Sequence, residues 1–407
     1  MVPVTAPDEA HPHSARPLTA DPLQQPREPA APPAPAPGPE GRPRRRLRWL
    51  LAGALVLVLA AALMARLPQG KVIESPGPTW DVLASTPGTD GQPGTDLIAV
   101  SGAPTYATSG QMRMTTVSVS GCPGHPITGL DVIVAWLSPD QRVVDREQIC
   151  PASLSQQDID EQSHLQMTSS QDSAVLAALM ESGAATSMTL TINGGTTEQA
   201  QALFQEGDVL REITVSGTKT TLTSFVQLRE LLAATPVGTP VELGLERGGQ
   251  PTSVQLTTQP PQEEGRAGSV LGVLISAKAD SQVEATFALQ DVGGPSAGMM
   301  FALGIVDKLT PGPMLSGQDL AGTGTIDIAG KVGPIGGVVQ KMKGAARDGA
   351  TVFLAPAANC DEVVGNEPEG LTVVPVSTLH EAVEAATLVG QGSTAGLRSC
   401  QAVLSQG

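Results

Sequence analysis

Hydrophobic and polar positions divide the 407-residue chain into stretches of different period. Up to Gly41 there is no apolar periodicity. Runs such as "QQPREPAAPPAPAPGPEG" are rich in proline and alanine, and residues 1–46 are expected to form a disordered tail. From Leu47 to Leu67 the pattern turns almost wholly apolar. Seventeen residues between Arg48 and Arg66 carry no charge, which is ~26 Å of helix at ~1.5 Å per residue; Leu47, Leu67 and a snorkelling Arg66 extend it to a bilayer's width. The pattern predicts a single transmembrane helix over 47–67. Residues 72–180 begin "KVIESPGPTWDVL", alternate in a strand-like way in "QMRMTTVSVSG" and "LDVIVAWL", and end in the helical "QDSAVLAALMESG". Between 184 and 258 short strands surround an amphipathic helix, "SFVQLRELLAA", and "PVELGLERGGQPTSVQLTT" predicts a hairpin turning at Gly248-Gly249. Within 265–390, "GSVLGVLISAK" and "EATFALQDVGG" are strand-like, and "SAGMMFALGIVDKL" has the length of a buried helix. "AGTGTIDIAGKVGPIGG" reads as two strands around a glycine-rich turn, before a helix from about Gly337 to Arg347 and the strand "TVFLAP". Residues 391–407 are left as a C-terminal tail.

Charge orients this arrangement. Arg42, Arg44, Arg45, Arg46 and Arg48 precede the apolar run and only Arg66 and Lys71 follow it closely, so the positive-inside rule puts the N-terminus in the cytoplasm and everything past residue 70 outside. A signal peptide cleaved near Ala60-Ala61-Ala62 competes with a retained anchor, and both place the folded part in the same compartment. The four cysteines, Cys122, Cys150, Cys360 and Cys400, all fall on the outer side, where two disulfides are expected. Three pairings are open; Cys122 with Cys150 and Cys360 with Cys400 is preferred because each would staple one region. Aromatic content of 2% requires aliphatic cores. Beyond residue 48 the chain carries 17 basic against 35 acidic residues, which argues against nucleic acid as a partner.

The candidate chemistry lies in "DVGGPSAGMMFALGIVDKLTP". Ser296 stands between glycines at the start of an apolar helix, whose N-terminus would aim N–H groups and a positive dipole at whatever the serine attacks. A serine hydroxyl needs a base, and a lysine can serve once burial has neutralised it. Lys341, one turn into the helix after "PIGGV", has the apolar neighbours for this. Lys343 lies two positions on and faces another side of that helix. Lys308, Lys331 and Arg347 read as surface charge. The same Gly294-Pro295-Ser296-Ala297-Gly298 also fits the G-x-S-x-G elbow of a triad hydrolase, with Asp327 or Asp361 and His380 as partners, although "STLHEAVEAATL" places His380 at an exposed helix start.

Three segments, "DVGGPSAG", "GTGTIDIAGKVGPIGG" and "VVQKMKGAARDGATVFLAP", resemble in order the proteolytic domain of Lon proteases. Gly207-Asp208-Val209-Leu210, followed by a helix and a hairpin, resembles a PDZ domain, although no carboxylate-binding loop stands before Gly207. The whole order is similar to that of the membrane-anchored, PDZ-containing Lon-like serine proteases of Gram-positive bacteria. The resemblance implies an α/β (α+β) Lon-type proteolytic domain over 265–390, a PDZ-like β-rich domain over 184–258 and an extracytoplasmic N-terminal region over 72–180, which would set the other domains' place relative to the membrane. It also implies Ser296 as nucleophile, Lys341 as general base and Thr323 as a supporting group, and leaves Asp291, five residues before the serine, without a clear role.

The implied activity is a membrane-anchored serine endopeptidase that cleaves protein or peptide substrates through a Ser/Lys dyad. The PDZ-like domain would recognise substrate or regulate access. No cofactor or metal is expected. Val332 stands where a P-loop needs Ser or Thr after Lys331, and no other G-x-x-x-x-G-K-[ST] occurs, so cleavage is expected to be independent of ATP. Ring-shaped homo-oligomers are a further implication of the resemblance. An anchored scaffold that binds peptide termini without catalysis is the alternative of a different class.

Overall fold

Six strands pair in the order Thr372–Val376, Val352–Pro356, Asp319–Gly322, Gln111–Ser120, Lys71–Asp81 and Arg142–Asp145. The first four run parallel and the last two join antiparallel. The computed structural model describes residues 42–64, 70–86, 94–151, 153–262, 267–289 and 292–405. Of the tail expected over 1–46, residues 1–41 lie outside the described residues, and 42–46 belong instead to the helix Arg42–Met64. The chain divides into two units, Met1–Leu59 and Ala60–Gly407.

The six-stranded sheet is covered on both faces, as its near-continuous apolar strands require. Leu320, Val352, Leu354 and Val374 point to one face, where they pack with the buried helix Gly298–Leu309, here the serine helix, and with Leu379–Gly390. Ala321, Phe353, Ala355 and Val373 point to the other, against the helix Val338–Arg347, here the lysine helix. The alternation along each strand therefore puts serine and lysine on opposite sides of one sheet. They can meet only beyond a strand end.

The region over 72–180, expected as an N-terminal region of its own, shares a sheet with the region over 265–390. Its strands Gln111–Ser120 and Lys71–Asp81 complete the sheet, with Leu320 registered between Met112 and Val352. The long helix Gln156–Glu181, started by a Ser155/Asp158 capping box, lays Ala174, Ala177 and Ala178 into the same core as the serine helix. Small side chains there allow close packing.

A second sheet has the order Gln250–Thr257, Pro240–Arg247, Asp208–Val215, Met188–Gly195 and Val273–Ala279. Its hairpin turns at Gly248 and Gly249, both with positive φ, between the paired Arg247 and Gln250. Asp208 is buried and takes two hydrogen bonds from Arg247, which lower its pKa. The segment "GSVLGVLISAK", assigned from its pattern to the domain that follows, belongs here: Val273–Ala279 pairs antiparallel with Met188–Gly195.

Residues 391–405, expected as part of a C-terminal tail over 391–407, are not free. Cys400 opens the short helix Cys400–Leu404 and is bonded to Cys360, while Cys122 is bonded to Cys150. The preferred pairing is the one present.

The helix Arg42–Met64 carries the predicted span. Among the described residues no helix is long and apolar enough to cross a membrane. The charge-free part of this helix runs from Trp49 to Met64, ~24 Å at ~1.5 Å per residue, short of a ~30 Å hydrocarbon core. Ala65, Arg66 and Leu67, which would complete the span, lie outside the described residues.

Candidate active site

Ser296 is held because the loop before its helix is fixed from two sides. Gly294 has φ 83°, a conformation that glycine adopts without strain, and Pro295 follows. On one side the long helix holds the loop: Gly294 N–H donates to the Ser163 carbonyl at 3.1 Å and Ser170 Oγ donates to the Pro295 carbonyl at 2.9 Å. On the other, the Ser296 carbonyl accepts from Gly324 N–H at 2.8 Å and from Thr323 Oγ1 at 3.0 Å. Gly298 lets these elements close up, since a Cβ there would lie 2.5 Å from Ser170 Oγ and 2.9 Å from Ile326 Cγ2. The N-cap is Ala297 and no side chain caps the helix. The Ser296 hydroxyl is therefore not used as a cap.

Its partner comes from the opposite face of the sheet. Lys341 Nζ lies 2.6 Å from Ser296 Oγ and 3.0 Å from Thr323 Oγ1, just past the end of the strand Asp319–Gly322. Lys341 is 3% exposed and Thr323 fully buried. Burial lowers the lysine pKa from 10.5 to about 7, so a large fraction is neutral near pH 7. Thr323 commits its hydroxyl proton to the Ser296 carbonyl, so it can only accept from Lys341. In the neutral amine the lone pair is then left for the Ser296 hydroxyl.

The other candidates are placed elsewhere. Lys343 turns away, donating to the Pro139 carbonyl and lying 3.3 Å from Asp140. His380 is exposed, and its Nδ1 lies 2.8 Å from Glu181 Oε1. Asp327 is engaged by Arg229 at 2.6 Å and by the N–H groups of Ala329 and Lys331, and Asp361 lies exposed in the short helix Cys360–Val363. Among the described residues no triad forms around Ser296. Lys308, read as surface charge, is buried and paired with Asp96 at 2.9 Å; a lysine in the last turn of an apolar helix looks the same in sequence whether or not a loop covers it. Arg347 is exposed and pairs with its neighbour Asp348. Asp291 lies outside the described residues.

A cleft of about 470 Å³ runs past the pair, lined among others by Glu74, Trp80, Val117, Gly293, Ser296 and Lys341. Sequence reasoning found the serine side of this cleft and missed the other wall, Glu74, Trp80 and Val117, which comes from the 72–180 region. Glu74 is buried; among the described residues its Oε2 has no hydrogen-bond partner, although the Arg142 guanidinium lies 3.8 Å away, and burial raises its pKa. An acidic residue directly after the apolar Val72-Ile73 in "KVIESPGPTW" was the available signal.

Residues 289–389 match the Lon protease (S16) C-terminal proteolytic domain. The chain is similar to Lon protease 1 of Bacillus subtilis (41% identical over 101 residues, 24% of this chain and 13% of the relative). It is also similar to Lon protease 2 of Herpetosiphon aurantiacus (41% over 91 residues, 22% and 11%) and to the archaeal Lon protease of Methanocaldococcus jannaschii (39% over 92 residues, 23% and 14%). The chain thus spans about an eighth of the length of the curated relatives it matches. Ser296, Thr323 and Lys341 all fall inside the matched stretch. Among solved structures, the PDZ domain of the SdrC-like protein from Listeria innocua aligns with 21% of this chain and 92% of its own, at 15% identity and a TM-score of 0.19, too slight a likeness to bear on the fold.

Proposed function

We propose that the chain is a serine endopeptidase in which Ser296 attacks a peptide carbonyl and Lys341 takes its proton. The observation that carries this reading is the 2.6 Å contact between the serine hydroxyl and a buried lysine amine. Neutral Lys341 accepts the proton as Ser296 Oγ bonds to the carbonyl carbon, and backbone N–H groups at the start of the serine helix receive the oxyanion. The same ammonium then gives its proton to the leaving amine. Water, deprotonated by Lys341, hydrolyses the acyl-enzyme. Thr323 is a positioning residue that orients the amine.

ATP independence is part of the proposal, supported by the lack of a P-loop motif in these 407 residues. Anchoring by a single span over 47–67, with the catalytic region outside the cell membrane, is supported by the charge-free run and its flanking arginines. Leucines and valines are exposed along the helix Arg42–Met64, as a lipid-facing surface would be.

For the PDZ-like region we propose capture of an extended peptide end. Val273–Ala279 is the edge strand of the second sheet, and a groove of about 370 Å³ beside it is lined by Phe225, Leu228, Leu232, Val270 and Ile275. A free edge next to an apolar groove suits strand addition. The loop Ser269–Gly272, which enters this edge strand, follows the hairpin rather than preceding Gly207.

The test is cleavage of unfolded casein by the purified protein without nucleotide, comparing wild type with Ser296→Ala, Lys341→Ala, Lys343→Ala and His380→Ala. Only the first two variants are expected to lose cleavage. An active Lys341→Ala beside a dead His380→Ala would overturn the dyad, and a reproducible stimulation by ATP would overturn nucleotide independence.

A further inference from the structure

The helix Gly129–Leu137, sequence GLDVIVAWL, has no polar face. Gly129, Val132 and Ala135 point inward. Leu130, Val134 and Leu137, at i, i+4 and i+7, form a stripe on the other side and are 44%, 63% and 81% exposed, with Trp136 at 67%. The single charged residue, Asp131, closes the Thr128 capping box. A nine-residue helix that turns three aliphatic residues and a tryptophan to solvent is an uncovered apolar patch, of a kind that marks an interaction surface.

Its position in the chain says what covers it. The helix packs against the strands Lys71–Asp81 and Arg142–Asp145, and the first residues of the former pair with the latter. Gly70 accepts a hydrogen bond from Arg146 N–H at the same corner. The Cys122–Cys150 disulfide brackets the helix and holds it there. Ile149, 41% exposed, adds to the apolar surface. The proposed span ends at Leu67, three residues before Gly70, and three residues reach at most ~10 Å. A bilayer that holds the span must therefore lie close to this corner of the folded region. Tryptophan beside aliphatic residues is the composition that sits at the level of lipid headgroups.

We infer that the uncovered face of Gly129–Leu137 docks into the interfacial layer of the bilayer that holds the proposed anchor, an inference that rests on the anchor reading. Span and helix together make a two-point attachment, which fixes the tilt of the catalytic sheet over the membrane instead of leaving it on a single tether.

The chain has three tryptophans, Trp49, Trp80 and Trp136, which makes the test direct. The full chain is reconstituted in phosphatidylcholine vesicles containing lipids brominated near the headgroup end of the acyl chain. The double variant Trp49→Phe/Trp80→Phe reports on Trp136, and Trp80→Phe/Trp136→Phe reports on Trp49. The expected result is strong quenching and a blue shift of Trp136, both abolished when Val134→Asp and Leu137→Asp are added. Unquenched Trp136 with quenched Trp49 overturns the docking while the anchor stands, as would be seen if a second copy of the chain covered the face. If neither is quenched, both readings fail. Quenching of Trp136 that survives the two aspartates also overturns the inference, since the named face would not be what inserts.

Discussion

Replacing Lys341 with methionine should remove activity and at the same time make the protein more stable. The lysine is buried and its pKa lies at about 7 instead of 10.5. At ~1.4 kcal/mol per pKa unit, keeping it protonated in this site costs about 4 to 5 kcal/mol. Methionine fills a similar volume without that cost. It also gives up the contacts to Ser296 Oγ and Thr323 Oγ1, each worth about 1 kcal/mol, which leaves a net gain of about 2 to 3 kcal/mol. In melting temperature this is roughly 5 to 10 °C. The sign with pH follows from proton binding. Between about pH 7 and pH 10.5 the unfolded lysine holds a proton that the folded one has lost, so wild-type stability rises with pH through that window. The advantage of Lys341→Met is therefore complete below pH 7 and gone by pH 10.5. Thermal melts of both proteins at pH 6, 8 and 10, run beside casein cleavage, check this. A variant that melts below wild type at pH 6, or that still cleaves, would refute the reasoning.

Peptide cleavage by wild type should rise with pH along a single limb with a midpoint at about 7, as Lys341 loses its proton; a pH-independent rate between 6 and 8 would mean another group sets the base. Thr323→Val keeps the shape but removes the hydroxyl shared by Ser296 and Lys341, and should lower kcat about 10- to 100-fold with KM little changed, a split read from steady-state kinetics. Gly298→Ala forces a methyl to 2.5 Å from Ser170 Oγ and should destabilise by about 1 to 3 kcal/mol in urea melts. Arg247→Ala leaves the buried Asp208 without its partner and should cost about 3 to 5 kcal/mol, seen as early melting of the second sheet. Reduction of Cys360–Cys400, which closes a 40-residue separation, should cost about 4 kcal/mol in the same assay.

What the sequence revealed was what depends on neighbouring residues. The Gly248-Gly249 hairpin, the buried serine helix and the helix carrying Lys341 are local patterns, and each appears where its pattern lies. The pairing of Ser296 with Lys341, and Thr323 beside them, was what the resemblance to Lon proteolytic domains implied; the need of an activated serine for a buried base agrees with it but does not by itself single out these residues. What local patterns cannot contain is partner choice among strands. Gln111–Ser120 alternates like any half-buried strand, and nothing in it names Asp319–Gly322, some 200 residues on, as its neighbour. For the same reason Val273–Ala279 was grouped with the serine loop beside it in sequence, not with Met188–Gly195. Burial by a distant loop likewise hid Lys308, whose partner Asp96 is more than 200 residues away.

The long helix Gln156–Glu181 bears on how independently the two sheets can behave. Its 26 residues make a rod of ~39 Å. Ser163, in its first half, and Ser170, at its middle, hold the loop of Ser296, and Leu176 and Met180 towards its C-terminal end pack against the core of the second sheet. The second sheet and the nucleophile's loop therefore share one helix, with Leu176 only about 9 Å along it from Ser170, so a rotation of that sheet is expected to shift the loop of Ser296.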